Sequence, residues 1–215
     1  MSTPAIKICG IREDRALEAA IAGGAAYAGF VFFARSPRHV SPAEAAALSA
    51  RAQGRIGRVG LFVDADDAAI AAVLAAAPLD VLQLHGAESP ARCGKVRARF
   101  GLPVWKAWSV AGPGDVERAA AYRGAAYLIL FDAKTPKGTL PGGMGLAFDW
   151  GLLAGWRPGG FPAGWGLAGG LTPANVAEAV ARTGAPLVDC SSGVESAAGV
   201  KDAGLIAAFC AAVRG

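Results

Sequence analysis

The chain has 215 residues, 53% of them hydrophobic and 18% charged, with a net charge of +4 at pH 7. This balance excludes a disordered or acidic-tail protein, and the length suits one domain, residues 1–215, around one substantial core. Lys and Arg are mixed with Asp and Glu rather than gathered into a basic stripe, so nucleic acid is not an expected partner; the mild positive balance suits a small anionic substrate and equally an ordinary solvated surface.

In chain order, the opening residues MSTPAIKICGIRED hold no apolar run of secretory-signal length, and charge arrives at Lys7. A cytoplasmic, reducing location is therefore expected. A first strand is predicted over 6–9 and a helix over 14–22, closed by Gly23. The charge-free stretch 19–34 is short and broken by Gly23, Gly24 and Gly29, so it predicts no membrane span. A strand at 28–33 follows, then a helix at 41–53 opened by Ser41 before Pro42. The rhythm continues with strands at 59–63, 81–84 and 104–108, separated by helices at 66–77 and 89–99, the latter closed by Gly101. Next come a helix at 115–122, a strand at 128–131, a helix at 148–156 and a strand at 164–168 within the Gly- and Pro-rich uncharged run 158–177. Thr172-Pro173 opens a helix at 173–182 closed by Gly184, a strand is read at 187–189, and a helix at 202–213 ends the pattern.

Eight strands that are apolar on both sides, each followed by a helix, predict the α/β class and a single closed (βα)8 TIM barrel. An open doubly wound sheet is the alternative. Against it, the first strand runs into CGIRED, without the Gly-x-Gly-x-x-Gly turn that receives a dinucleotide.

Barrel chemistry sits where strands end, which narrows the candidates to Cys9, Arg38, Asp64, Gln83, His85, Lys106, Asp132, Gly169, Gly170, Asp189, Ser191, Ser192 and Gly193. LAGGLTPANV joins paired glycines to a helix start, where backbone N–H groups can approach an anion, and DCSSGVES after the last strand offers further donors. Each half alone is also an ordinary turn. Together, after the seventh and eighth strands, they point to phosphate.

Cys9 closes the first strand; a free cysteine is commonly just a small buried hydrophobe, as expected for Cys93, Cys190 and Cys210, but at a barrel mouth with nearby positive charge a thiolate can act as a base. Asp132 ends the apolar run LILF; it is either a turn residue or, partly desolvated in the mouth, an acid able to donate a proton. Gln83 and His85 share one strand face, as a self-satisfied polar pair or as ligand contacts. No cysteines form a Cys-x-x-Cys pair, and His85 with His39 builds no zinc or iron spacing, so no metal is expected.

The segments KICGI, GFVFFARSPRHVSP, VGLFVD, LQLHG, FDAKTP, GGMGLAFDW, LAGGLTPANV and VDCSSGVES with GVKD occur in order across nearly the whole chain. In this combination the sequence resembles the phosphoribosylanthranilate isomerases. The resemblance implies a cofactor-free Amadori rearrangement of N-(5-phosphoribosyl)anthranilate in tryptophan biosynthesis, with Asp132 as general acid and Cys9 as general base. It further implies that Arg38 receives the anthranilate carboxylate, that Gln83, His85 and Asp189 contact substrate, and that Gly143, Gly145, Gly169, Gly170, Ser191, Ser192 and Gly193 hold the phosphate. The chain departs from the family's usual pattern at Met144, where a small hydroxyl residue is frequent, and at Leu146, where lysine is common. The expected partner is a small phosphorylated substrate, with no membrane partner, in a monomer or homodimer. An indole-glycerol-phosphate synthase would require a catalytic lysine, for which Lys106 is the candidate, plus strand-end glutamates; a pentose-phosphate epimerase would require a metal set. A phosphate-ligand sensor on the same scaffold would lack turnover.

Overall fold

The computed structural model describes residues 3–133, 148–153, 155–156 and 159–215. Eight parallel strands form a closed barrel in sequential order: β1 (Ala5–Cys9), β2 (Tyr27–Phe32), β3 (Gly57–Phe62), β4 (Val81–Leu84), β5 (Val104–Val110), β6 (Leu128–Ala133), β7 (Trp165–Leu167) and β8 (Leu187–Cys190). β8 closes on β1 with Lys7 opposite Asp189. The predicted strands are all present, within a few residues of their expected ends, because each is a run of β-branched, aromatic or leucine residues too apolar to lie anywhere but between two buried layers.

Successive side chains alternate across each strand. One face, including Ile6, Ile8, Phe30, Phe62, Leu82, Ile129 and Phe131, packs beneath the helices; the other fills the barrel with Val59, Val81, Trp105, Leu128, Leu130, Ala168 and Leu187. Trp105 is wedged edge-on against Tyr27, ring centres 4.8 Å apart. A cavity of about 330 Å³ lined in part by Tyr27, Trp105, Tyr127 and Trp165 opens at this N-terminal end, remote from the strand ends where barrel chemistry occurs.

The outer layer comprises α1 (Asp14–Ala22), α2 (Pro42–Ala52), α3 (Asp67–Ala76), α4 (Pro90–Phe100), α5 (Pro113–Arg118), α6 (Val176–Thr183) and α7 (Ala203–Arg214). Ser41 caps α2 as expected, in a reciprocal capping box with Glu44. Gly101 and Gly184 end their helices with positive φ. Gly23 does not: it stays right-handed, and Gly24 takes the left-handed turn at φ +66°.

Three expectations need correction. The helix predicted over 148–156 is, among the described residues, a single 3-10 turn, Trp150–Leu153; Asp149 folds back to accept the Gly151 N–H, and Gly155 has φ +78°. The helix predicted over 115–122 is α5 followed by a 3-10 turn, Ala119–Tyr122. The helix predicted from Pro173 starts at Val176, because Asn175 turns its amide inward, accepting from Thr172 N and donating to Gly170 O. A small antiparallel hairpin after β8, β9 (Glu195–Ala197) with β10 (Val200–Lys201), was not anticipated. No helix among the described residues is long and apolar enough to cross a membrane.

Candidate active site

The alternation that fills the barrel also builds its mouth. Ala5 leads to Lys7 and then Cys9, Val81 to Gln83 and then His85, Leu128 and Leu130 to Asp132, and Leu187 to Asp189 and then Ser191, so on these four strands the apolar floor gives way to polar residues on the same face. The interior changes from oil to titratable groups over one or two steps along the strands.

Lys7 is fully buried and donates to Asp189 Oδ2 at 2.8 Å. Burial works against its charge, but the Asp189 carboxylate and Cys9 together raise its pKa. The second carboxylate oxygen, Asp189 Oδ1, and both amide atoms of Gln83 are buried without a hydrogen-bond partner. Such orphans are costly unless something polar completes them.

Cys9 packs with Val31 and Leu61. A Cβ on Gly29 would meet Cys9 Sγ at 2.9 Å and Lys7 Cε at 3.3 Å, so this strand position accommodates only hydrogen. Burial pushes the Cys9 thiol up; Lys7 and Lys201 pull it down, and Asp189 adds to the rise, leaving it above the ordinary thiol value. Asp132 lies at the end of β6, with Oδ1 accepting the Ala133 N–H at 2.8 Å and Oδ2 3.1 Å from His85 Nε2. Gly169, at φ +83°, backs this carboxylate: a Cβ there would stand 2.5 Å from Ala133 N and 2.9 Å from Asp132 Oδ1. The glycine is thus required by the β6 strand end, whatever its relation to an anion.

Arg38 is buried, not a surface residue. The chain after β2 turns back so that His39 bridges to Val31, and the Arg38 side chain lies over Gly10, whose missing Cβ would otherwise stand 2.7 Å from Arg38 Cδ. Its Nε and Nη2 donate to the two oxygens of Glu195, each at 2.7 Å. Glu195 Oε1 also accepts from Lys201 Nζ at 2.5 Å, and Lys201 donates to Ser191 O at 2.9 Å. Ser191 Oγ closes the circuit on Cys9 O at 3.1 Å. Burial would push Glu195 up, but Arg38 and Lys201 outweigh it and hold its carboxyl below the ordinary glutamate value. Burial lowers Lys201 despite the pull of Glu195.

Gly169 and Gly170 both have positive φ, +83° and +64°, a backbone path open to glycine. Ser192 and Gly193 begin a 3-10 turn, and a Cβ on Gly193 would collide with Leu171 O at 1.9 Å, so the loops after β7 and β8 lie directly against each other. Gly143, Gly145, Met144 and Leu146 lie outside the described residues.

Two strand-end candidates prove to be scaffolding. Lys106 has the opposite parity to Trp105 and sits behind the sheet, donating to Glu88 Oε2 at 2.9 Å and to the carbonyls of Gly86 and Leu84. Asp64, at φ +49°, accepts from Ala87 N at 2.7 Å and gives its own N–H to Glu88 Oε1. Together they brace the loop that follows His85. Lys7, Glu195, Lys201 and Glu88 were not singled out from sequence. The parity of Cys9 was enough to find Lys7, since a lysine in an apolar strand interior is itself anomalous; the others are paired only by the fold. Among the described residues no group of three or more His, Cys, Asp or Glu is arranged to hold a metal ion.

A closed parallel barrel with its polar side chains gathered at the strand ends defines an enzyme of the (βα)8-barrel class. A family model described as N-(5'-phosphoribosyl)anthranilate (PRA) isomerase matches residues 6–212, and the chain belongs to that family of isomerases. It is 57% identical to an N-(5'-phosphoribosyl)anthranilate isomerase of Paracoccus denitrificans, covering 96% of this chain and 95% of that one, and 55% identical to one of Rhodospirillum centenum, with 96% of each chain covered. The crystal structure of phosphoribosyl anthranilate isomerase from Thermotoga maritima superposes with a TM-score of 0.84 at 35% identity over 98% of both chains. Another solved structure of this isomerase, in complex with reduced 1-(o-carboxyphenylamino)-1-deoxyribulose 5-phosphate, superposes with a TM-score of 0.83 at 33% identity, again over 98% of both.

Proposed function

We propose that the chain, acting as a single domain, converts N-(5-phosphoribosyl)anthranilate to 1-(2-carboxyphenylamino)-1-deoxyribulose 5-phosphate by general acid–base catalysis. Asp132 donates a proton to the furanose ring oxygen; the C1–O bond breaks and the nitrogen lone pair forms the Schiff base. Cys9, as thiolate, removes the proton from C2, and the C–H electrons flow to nitrogen, giving the enolamine. Tautomerisation of the C2 hydroxyl yields the ketone.

The observation that carries this reading is the pairing of Asp132 with His85 at the barrel mouth, on the same inward face that holds Cys9. His85 Nε2 fixes the carboxyl, while Asp132 Oδ1 is tied to its own strand end. Arg38 supplies a planar fork for the anthranilate carboxylate. The unpartnered Gln83 amide and Asp189 Oδ1 are suited to the sugar hydroxyls. The backbone of Gly169, Gly170, Ser191, Ser192 and Gly193 receives the phosphate, and Gly143 and Gly145 are further candidates for it.

The test is a fluorescence assay on freshly formed phosphoribosylanthranilate. Cys9→Ala and Asp132→Asn are each expected to lower kcat by about 10²–10⁴-fold while binding of a reduced product analogue stays close to wild type. Near-normal turnover in either variant removes that residue from the mechanism.

A further inference from the structure

The hairpin β9–β10 carries no residue of the acid–base scheme, yet its Glu195 has the most completely engaged carboxylate at the mouth. Oε1 accepts from Arg38 Nε at 2.7 Å and Lys201 Nζ at 2.5 Å; Oε2 accepts from Arg38 Nη2 at 2.7 Å and from Gly199 N at 3.2 Å. Its side chain is only 4% exposed. A buried anion held by four donors is no incidental surface pairing.

The clamp acts on Arg38 in two ways. A guanidinium is a rigid plane, so engaging Nε and one terminal nitrogen together fixes both its tilt and its rotation. The close packing of Arg38 Cδ over Gly10 fixes the stem from the other side. The contact is also ionic: Glu195 pairs with both Arg38 and Lys201, at 2.7 and 2.5 Å. The same contacts reach the base and the phosphate loop, since Lys201 holds Ser191 and Ser191 holds the Cys9 carbonyl.

We infer that Glu195 is a positioning residue that sets the selectivity of this site for arylamine sugar phosphates bearing an ortho carboxylate, by holding the Arg38 guanidinium in the plane that receives it. The inference rests on the proposed role of Arg38. Glu195 touches neither the sugar nor the reacting carbons; it acts through Arg38, and its loss is felt at the carboxylate end of the substrate.

Two stable probes test this: 1-(2-carboxyphenylamino)-1-deoxyribitol 5-phosphate and the same compound without the carboxyl group, with each Kd measured by titration. The wild type is expected to prefer the carboxylated probe. Glu195→Gln is expected to reduce that preference by about tenfold, the lower end of what one charge-assisted hydrogen bond sets, with the affinity for the des-carboxy probe falling by less than that for the carboxylated one. A wild-type ratio near one overturns the Arg38 assignment and the inference with it. A clear wild-type preference that Glu195→Gln keeps within about twofold overturns the inference alone. Equal weakening of both probes also overturns it, because that is the mark of a merely structural role. Should Glu195→Gln fail to fold, Glu195→Asp keeps the charge but is one methylene too short to hold Arg38 and Lys201 together; an unchanged preference there is equally decisive against it.

Discussion

Two buried lysine–carboxylate pairs sit on opposite faces of the same barrel wall, and they differ in how completely they are satisfied. Behind the sheet, Lys106 is shared among Glu88, Gly86 O and Leu84 O, while both Glu88 oxygens also take backbone N–H groups from Asp64 and Gly86. Inside the barrel, Lys7 reaches Asp189 Oδ2, but Asp189 Oδ1 and the whole Gln83 amide lack partners, and Cys9 packs on the same lysine. A closed network holds a loop in place. An open one retains unspent hydrogen-bonding capacity where a ligand can use it, which is the physical difference between scaffold and site.

Breaking the closed pair should have the largest effect on stability. Glu88→Ala leaves Lys106 buried without its anion and frees the N–H groups of Asp64 and Gly86, so a loss of about 3–5 kcal/mol is expected in urea unfolding. Below its lowered melting temperature the variant should keep most of its kcat. A mild stability loss with a collapsed kcat would mean that the two pairs are not divided as described.

Gly169→Ala tests the wall between strand end and loop. A left-handed φ of +83° and a contact of 2.5 Å to Ala133 N make any side chain strained there; about 1–2 kcal/mol of stability should be lost from the backbone conformation alone. Asp132 should be displaced, so turnover falls alongside stability. Unchanged melting and turnover would show that the strand end yields without cost.

Breaking the open pair should appear in the pH profile. Burial already raises the Cys9 thiol, and Lys7 and Lys201 oppose that rise while Asp189 adds to it. Lys7→Met removes one opposing charge, so the pKa of Cys9 rises further. The proposed base must be deprotonated to act, so the acid limb of kcat/KM moves to higher pH. Alkylation of Cys9 as a function of pH should shift in the same direction. A limb that stays in place would detach Lys7 from the base.

The smallest effect belongs to neither pair. Ser41→Ala removes the capping box of α2, and about 1 kcal/mol of stability should go with it while kcat and KM hold.

The strands and most helices were legible because their cause is local. VGLF, VLQL and LILF can only be buried strands, and Ser41-Pro42 carries its own start signal. The strand-end positions of Cys9, Asp132, Gln83, His85 and Asp189 were also legible, since a strand end can be counted along the chain. The ion pairs were not. Lys7 and Asp189 are 182 residues apart, and Arg38 and Glu195 are 157 apart; nothing in the neighbourhood of either partner announces the other. Lys106 was misplaced for a related reason: its position at a strand end is local information, but the face it occupies depends on the parity set by Trp105.

The order of apolar runs and turn residues by itself determined eight strands separated by helices or turns, hence a closed barrel, and which residues stand at its rim, because hydrophobic periodicity and capping act over a few residues. Closure of β8 on β1 and the return of the β9–β10 hairpin decided which charges meet. Their energies depend on burial and on separations of about 3 Å that only the assembled chain creates.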